Sequence, residues 1–170
     1  VLGKIIPDDV DISKVRAAVS QTILPGRMQT IAVDGKMLVF DGAHNAAAAE
    51  LLAVTIKQTY QGSRKVHAVV AHTGTHDGVA FAAALAPALT SVIVTVIPER
   101  GQGPKPVEDA YLRAGVPVAV VAHPVDAVRH AMEGAAAGDV VIVTGSFYLA
   151  GDIRKYLPDT YSPAICTLGD

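Results

Sequence analysis

The sequence predicts an α/β protein in which a mainly parallel β-sheet of about six strands has helices on both faces. Short runs rich in valine and isoleucine alternate with alanine-rich stretches along most of the chain. The runs have little polar–apolar alternation, as in strands that are buried on both faces, and the connections between them are short. Hydrophobic residues form 51% of the 170 residues and charged residues only 18%, which excludes intrinsic disorder.

Five strands and five helices are predicted after residue 36. The strand candidates are residues 37–41, 66–71, 91–97, 117–122 and 139–144. The helix candidates are residues 45–60, 77–89, 106–114, 124–136 and 146–156. Asp77 is a candidate helix N-cap, and Gly115 and Gly138 occupy positions that are typical of helix C-termini.

The beginning of the chain has a different pattern. Residues 11–22 predict a helix, and residues 27–33 predict a strand. This strand turns at Asp34-Gly35 into the strand at 37–41, because Asp-Gly is a strong hairpin signal. One edge strand is therefore expected to be antiparallel. With this addition the sequence predicts a Rossmann-like three-layer sandwich.

Composition excludes several classes of partner. Lys and Arg number 14 and Asp and Glu 16, with no basic block, so we expect no nucleic-acid partner. No apolar run reaches the roughly 18 residues of a membrane span, and residues 1–10 lack a signal-peptide layout. Cys166 is the single cysteine and forms no internal disulfide, which favours the reducing cytoplasm.

Ligands of open α/β sheets bind where strands end and helices begin, which here selects residues 41–45, 72–78, 98–105 and 144–146. The loop at 41–45 combines Asp41, His44 and Asn45 at a predicted helix start. Unpaired N–H groups and the helix dipole suit a phosphate or carboxylate there. The alternative is that Asp41 and Asn45 only cap the helix and His44 is a loop residue.

Two further loops allow competing interpretations. Ser146 either caps the following helix, which is its commoner role, or binds an anionic ligand. His72 and His76 lie beside Asp77, but Gly74 interrupts any helix between them and no H-E-x-x-H pattern occurs, so no metal site is predicted. The chain also lacks a G-x-x-x-x-G-K-[ST] loop, so the main cradle for a nucleoside triphosphate lies elsewhere.

Three motifs carry a resemblance to a known family. They are Pro25-Gly26-Arg27, Leu-Val-Phe-Asp-Gly-Ala-His-Asn at 38–45, and Val-Thr-Gly-Ser-Phe-Tyr-Leu-Ala-Gly-Asp-Ile-Arg at 143–154. In this order and spacing they resemble the C-terminal domain of folylpolyglutamate synthase/dihydrofolate synthase, in the Mur ligase superfamily. The resemblance covers nearly the whole chain. It implies that residues 1–22 are the end of an interdomain connection and the first helix, and that residues 23–170 form the amino-acid-binding domain.

The resemblance implies a reaction. In such ligases ATP phosphorylates a carboxylate of dihydropteroate or a folate, and the amino group of L-glutamate attacks the acyl phosphate to form an amide. ATP and Mg²⁺ are the implied cofactors, with most metal ligands in an N-terminal ATPase domain that is absent from this chain. The start at Val1 without methionine is interpreted as a trimmed tag or a piece of a longer protein. The isolated chain is expected to be inactive.

The resemblance also implies roles for residues of this sequence. Nucleotide contacts are expected from Arg27, Asp41 and Asn45, and catalysis from His44 near the phosphates or the reacting centre. Glutamate contacts are expected from Ser146, His76, Asp77 and Tyr148. No metal ligand is expected in this domain.

Three positions depart from the family pattern. Ala46 replaces the usual proline, and Thr75-His76-Asp77 stands where Asp-Lys-Asp is usual. Histidine is a weaker cation than lysine at neutral pH, so amino-acid selectivity or rate is affected. Lys105 stands in place of an arginine in the loop at 98–105.

Two alternative functions stay open. One is a Mur-type peptidoglycan-precursor ligase domain, against which Pro-Gly-Arg and Gly-Ser-Phe-Tyr-Leu argue. The other is a stand-alone Rossmann-like binding module without catalysis.

Overall fold

The computed structural model describes residues 11–15, 26–60, 64–74, 77–101 and 103–156. The strands are β1 (Gln29–Val33), β2 (Lys36–Phe40), β3 (Val66–Val70), β4 (Ser91–Val94), β5 (Val118–Val120) and β6 (Val140–Thr144). The helices that follow residue 26 are α1 (Ala46–Thr59), α2 (Gly78–Leu85), α3 (Pro104–Arg113), α4 (Pro124–Gly134) and α5 (Phe147–Arg154). A 3-10 turn, Ala86–Ala88, follows α2.

The six strands form one sheet in the order β1-β2-β6-β3-β4-β5. β1 is antiparallel to β2, and every other neighbouring pair is parallel. Asp34 and Gly35 join β1 to β2 with φ angles of 49° and 73°. Positive φ at both central residues is the geometry of the tight hairpin turn that Asp-Gly favours. The predicted antiparallel edge strand is confirmed.

The sheet is buried on both faces, which confirms the predicted three layers. Val39 of β2 packs in the cluster that contains the buried residues of α1, α2 and α3. Its neighbours Leu38 and Phe40 point to the opposite face and pack in the cluster that contains those of α4 and α5. Because successive side chains of a strand alternate between faces, each of the four central strands β2, β6, β3 and β4 contributes to both clusters.

Several boundaries differ from the sequence prediction. The helix predicted over 77–89 ends at Leu85 as an α-helix, because Pro87 has no N–H to continue the hydrogen-bond ladder. The strand predicted over 91–97 ends at Val94; the amide of the next residue, Thr95, still donates to the carbonyl of Val70, and its hydroxyl donates to the carbonyl of Ala122. Of the helix predicted over 11–22, residues 12–15 are helical and 16–22 lie outside the described residues.

The position of β6 between β2 and β3 brings distant loops together. The amide of Asp41 donates to the carbonyl of Val143, and the amide of Gly145 donates to the carbonyl of Ala43. Gly145 has a φ of +94°, and a Cβ there would lie 2.5 Å from the carbonyl oxygen of Ala71. Glycine is therefore required where the β6 loop crosses the end of β3. Within the described part of the chain, no helix has the length and apolar character of a membrane span.

Candidate functional site

The loop after β2 is held in place by the carboxylate of Asp41. Its Oδ2 accepts a hydrogen bond from the amide of Met28 at 3.0 Å, and its Oδ1 accepts one from the amide of Ala43 at 2.9 Å. Met28 has a φ of 46°, a left-handed conformation that is costly for a residue with a side chain. The hydrogen bond that the Met28 amide donates to Asp41 offsets the cost of this backbone conformation and holds residues 26–28 beside the end of β2.

The imidazole of His44 has a defined orientation. Its Nδ1 lies 2.8 Å from the carbonyl oxygen of Gly42. A carbonyl only accepts hydrogen bonds, so Nδ1 carries the hydrogen, and in the neutral ring the lone pair is on Nε2. The side chain is half-buried. His44 is therefore oriented by the backbone of its own loop, as a proton-transfer group must be.

Arg27 brings a positive charge to the same place. Its guanidinium lies over the ring of Phe147, 5.6 Å from the ring centre. Among the residues that the structure describes, no carboxylate forms an ion pair with it. A guanidinium that is held on an aromatic face and lacks an acidic partner is suited to bind an anion such as phosphate.

These three residues line one cavity of about 270 Å³, which we call the first cavity. Its other walls come from the loop before β1, the start of α1 and the first residue of α5. The lining residues are Arg27, Met28, Asp41, Gly42, Ala43, His44, Ala48, Leu51, Leu52, Thr55 and Phe147. The cavity thus combines a cation and an imidazole with an apolar wall, and can hold an anionic group beside an apolar one.

The predicted helix caps are confirmed. Asn45 Oδ1 accepts from the amide of Ala48 at 2.9 Å, and Ser146 Oγ accepts from the amide of Tyr148 at 3.1 Å. Asp77 Oδ1 accepts from two amides of the first turn of α2, each at 3.0 Å. Asn45, Ser146 and Asp77 are absent from the lining of both cavities described here. Their predicted contacts with ligands stay predictions, and His76 lies outside the described residues.

A second cavity, of about 410 Å³, lies beside α5. It is lined by Pro98, Glu99, Arg100, His123, Pro124, Val125, Tyr148, Asp152, Lys155 and Tyr156. The guanidinium of Arg100 stands 4.6 Å from the centre of the Tyr148 ring. Lys155 is paired with Asp152 at 2.7 Å, whereas Arg100 has no ion pair with a described carboxylate. The second cavity therefore also has a cation available for an anionic ligand.

The described residues form no cluster of metal-ligating side chains. No group of three His, Cys, Asp or Glu side chains comes together there. The two oxygens of Asp41 already accept backbone amides, and His72 is buried with its ring edge-on to Phe81 at 4.6 Å. These residues do not fit a Mg²⁺ site.

A comparison with protein families decides the class of this chain. The profile of the family described as Mur ligase, glutamate ligase domain matches residues 26–147. The chain belongs to this family. A search among curated proteins gives no match.

Solved structures of folate ligases share the fold of this glutamate ligase domain. E. coli FolC in complex with DHPP and ADP is 26% identical with a TM-score of 0.76, over 86% of this chain and 34% of that chain. The Mycobacterium tuberculosis folylpolyglutamate synthase complexed with ADP is 26% identical with a TM-score of 0.77, over 86% of this chain and 35% of that chain. The chain spans about a third of the length of these relatives.

A third related structure contains an amino acid. The bifunctional folylpolyglutamate synthase/dihydrofolate synthase with Mn, AMPPNP and L-glutamate bound is 28% identical to this domain. Its TM-score is 0.75, over 88% of this chain and 35% of that chain. The Yersinia pestis enzyme complexed with AMPPNP and Mn matches at 28% identity with a TM-score of 0.74, over 88% and 35% of the two chains.

Sequence reasoning missed two residues that the glutamate ligase domain places at its cavities. Arg100 lies in the loop at 98–105, which was predicted to be near a ligand, but the residue singled out in that loop was Lys105. Lys105 forms ion pairs with Glu108 at 3.3 Å and Asp109 at 2.7 Å within α3, and these hydrogen bonds raise its pKa. Phe147 follows the cap of α5 within the motif at 143–154. It was not predicted as a site residue, because an aromatic residue at the start of a helix is usually part of the core.

Proposed function

We propose that this domain is the C-terminal part of an ATP-dependent ligase that joins L-glutamate to dihydropteroate or a folate through an acyl phosphate. Residues 23–170 are the domain itself, and residues 1–22 are the connection from an ATPase domain that supplies the P-loop and the Mg²⁺ ligands. The enzyme works in the cytoplasm, where ATP is available and a lone cysteine stays reduced.

The observation that carries the proposal is the first cavity, where Arg27 and His44 meet at the carboxyl end of β2. Arg27 has no acidic partner among the described residues, and its planar fork matches the oxygens of a phosphate. The apolar side of the cavity, with Leu51 and Leu52, provides contact for a flat or apolar part of the nucleotide. The relatives solved with ADP or AMPPNP support this assignment.

His44 is the proposed catalytic group. In the reaction, the substrate carboxylate takes the γ-phosphoryl group of ATP, and the amine of glutamate then attacks the acyl carbon. The attacking amine must lose a proton before phosphate leaves the tetrahedral intermediate. With its Nδ1 hydrogen donated to the Gly42 carbonyl, His44 accepts this proton at Nε2. Arg27 stabilises the negative charge that the phosphate oxygens carry during both steps.

The second cavity is the proposed place for the glutamate carboxylates. Arg100 supplies the positive charge, and Tyr148 holds the guanidinium in place through its ring. The loop with His76 and Asp77 and the hydroxyl of Ser146 are the further proposed glutamate contacts. The related synthase solved with L-glutamate bound supports an amino-acid site in a ligase of this kind.

The test is a ligase assay on the protein from the complete reading frame. We expect ADP release that depends on L-glutamate and on dihydropteroate or tetrahydrofolate, with a glutamylated product seen by mass spectrometry. The 170-residue chain alone serves as the control and is expected to be inactive, because it has no P-loop.

Other outcomes contradict the proposal. Turnover with a nucleotide-sugar peptide and not with pteroate substrates would assign the chain to peptidoglycan-precursor ligases. Absence of both turnover and nucleotide binding would support a stand-alone binding module. Glutamate-dependent ATP turnover by the 170 residues alone would contradict the division of work between two domains.

A further inference from the structure

The ring of Phe147 lies near both Arg27 and His44, two polar residues of the first cavity. Phe147 is the first residue of α5 and is 42% exposed. The guanidinium carbon of Arg27 is 5.6 Å from its ring centre, and the imidazole of His44 is 5.9 Å away at a tilt of 54°. One side chain therefore adjoins both residues to which the proposed function gives a chemical role.

Gly42 leaves the space that this ring occupies. A Cβ at Gly42 would lie 2.1, 2.2 and 2.4 Å from three atoms of the Phe147 ring. Its backbone is outside the left-handed region, so alanine is compatible with the backbone conformation of Gly42. Glycine is required at this position because of the ring. A Cβ at Gly26 would also touch the ring, at 3.4 Å.

Core packing does not explain the position of Phe147. Neither of the two buried clusters on the faces of the sheet includes this residue. A half-exposed aromatic ring on a surface helix commonly lies along its own helix. The ring of Phe147 instead packs against the backbone of two loops from a different part of the chain. Its contacts are with the loop at residues 26–28, with Gly42 and with His44.

We propose that Phe147 is a positioning residue for the ligase reaction, a role that rests on the proposed function of the first cavity. Its face holds the guanidinium of Arg27 by a cation–π contact, and the tilted contact of the two rings restricts rotation of the His44 imidazole. Without the ring, both side chains are still present but sample other rotamers. Because transition-state stabilisation requires groups that are already in place, the main loss is in kcat.

The kinetic test removes the ring in two independent ways in the protein from the complete reading frame. Phe147→Ala deletes the ring. Gly42→Ala keeps the ring but displaces it from its position against Gly42, because the added Cβ would clash with it. We expect each variant to lower kcat about tenfold with a smaller change in the KM for ATP. Phe147→Tyr keeps the ring and is expected to stay within about twofold of the wild type.

Two control variants match these changes. Leu112→Ala removes a half-exposed apolar side chain of α3 that lines neither cavity, and Gly151→Ala adds a Cβ that meets nothing within 4 Å. Neither is expected to change kcat. The double variant Gly42→Ala with Phe147→Ala is expected to be no slower than Phe147→Ala alone, because the added methyl then has no ring to displace. Effects that multiply would contradict the proposal.

A spectroscopic measurement separates this proposal from the proposed function. In the NMR spectrum of the 170-residue chain, the Phe147 ring current shifts the ring protons of His44. We expect these resonances to move in Phe147→Ala and in Gly42→Ala, and to stay in place in the two controls. Unmoved resonances, or moved resonances with a wild-type kcat, would overturn the positioning role. Moved resonances in a protein without any ligase activity would instead refute the proposed function and leave the contact with His44 intact.

Discussion

The two ends of the sheet each carry an aspartate, a histidine and a serine, and they use them differently. At the amino end, His67 Nδ1 lies 2.8 Å from Ser91 Oγ, and His67 Nε2 lies 3.7 Å from the carboxylate of Asp139. Asp139 also accepts hydrogen bonds from the amides of Lys65 and Ala136. The three side chains lie together and link the starts of β3, β4 and β6, although the buried His67 Nε2 has no hydrogen bond within the described residues.

At the carboxyl end, the corresponding side chains are anchored to the backbone. Asp41 accepts from two amides, His44 binds the carbonyl of Gly42, and Ser146 accepts from an amide of α5. The cations Arg27 and Arg100 rest on aromatic rings at this end, without ion pairs to described carboxylates. At the amino end the polar side chains are paired with one another, although His67 and Ser91 also line a cavity of about 280 Å³. At the carboxyl end Arg27, Asp41 and His44 line the first cavity and Arg100 lines the second, and both arginines lack a described acidic partner.

The two histidines give the largest contrast. His44→Ala is expected to lower kcat about 100-fold, which is within the usual range for loss of a proton-transfer group, with little change in stability. His67→Ala is expected to leave kcat unchanged and to lower the free energy of unfolding by about 1 kcal/mol, because Ser91 and Asp139 lose a partner. Steady-state kinetics and urea unfolding of both variants test this. If His44→Ala and His67→Ala lowered kcat equally, the proposed difference between the two ends of the sheet would be wrong.

Asp139, the aspartate at the amino end, gives the next effect, which is on stability. Asp139→Ala leaves the amides of Lys65 and Ala136 without an acceptor and is expected to cost about 2 kcal/mol of unfolding free energy. Asp139→Asn keeps one carbonyl oxygen and is expected to cost less. In both variants kcat is expected to stay close to that of the wild type. A large fall in kcat would show that the amino end also affects the reaction.

The same residue gives the amino end a pH dependence. Burial acts to raise the pKa of Asp139, but the two amide hydrogen bonds and the nearby His67 outweigh it, so the pKa lies below the ordinary 3.8. A lowered pKa means that the charged form stabilises the fold above pH 3.8, and that this contribution is lost as the pH falls through the folded-state pKa. The free energies of unfolding of the wild type and of Asp139→Asn are therefore expected to converge as the pH falls below the folded-state pKa of Asp139.

Local signals predicted much of the fold. Asp34-Gly35, the caps of α1, α2 and α5 and the glycine after α3 act within a few residues, so the sequence alone indicates the turns and helix starts that they produce. The order of the strands is not a local property. Nothing in the sequence of β6 shows that it lies between β2 and β3, where its last residue reaches the loop of Asp41.

The same distinction applies to the site. Asp41 and His44 were predicted from the loop at a strand end and Arg27 from the family resemblance, and the structure places all three around one cavity. Phe147 and its seat on Gly42 were not predicted, because a single sequence does not show which glycine faces which ring. The amino-end network was not predicted either, because the partners of His67 start strands that are distant from it in the sequence.

The two serines give the smallest contrast, and the one that decides whether the caps also bind a ligand. Ser146→Ala is expected to lower stability by about 1 kcal/mol through loss of the α5 cap, and to raise the KM for glutamate about tenfold through loss of the hydroxyl. Ser91→Ala removes a bond to His67 and is expected to change stability by about 1 kcal/mol with no effect on this KM.

Ser146→Gly separates the two roles of the cap residue. Glycine at an N-cap costs only a few tenths of a kcal/mol, so this variant keeps most of the helix stability while it lacks the hydroxyl. If the hydroxyl binds glutamate, the KM rises in both Ser146 variants while stability falls chiefly in Ser146→Ala. If KM stays at the wild-type value in both, Ser146 is a cap alone. The glutamate carboxylates are then left to Arg100 and the loop after β3, because these are the other groups that the proposal places around them.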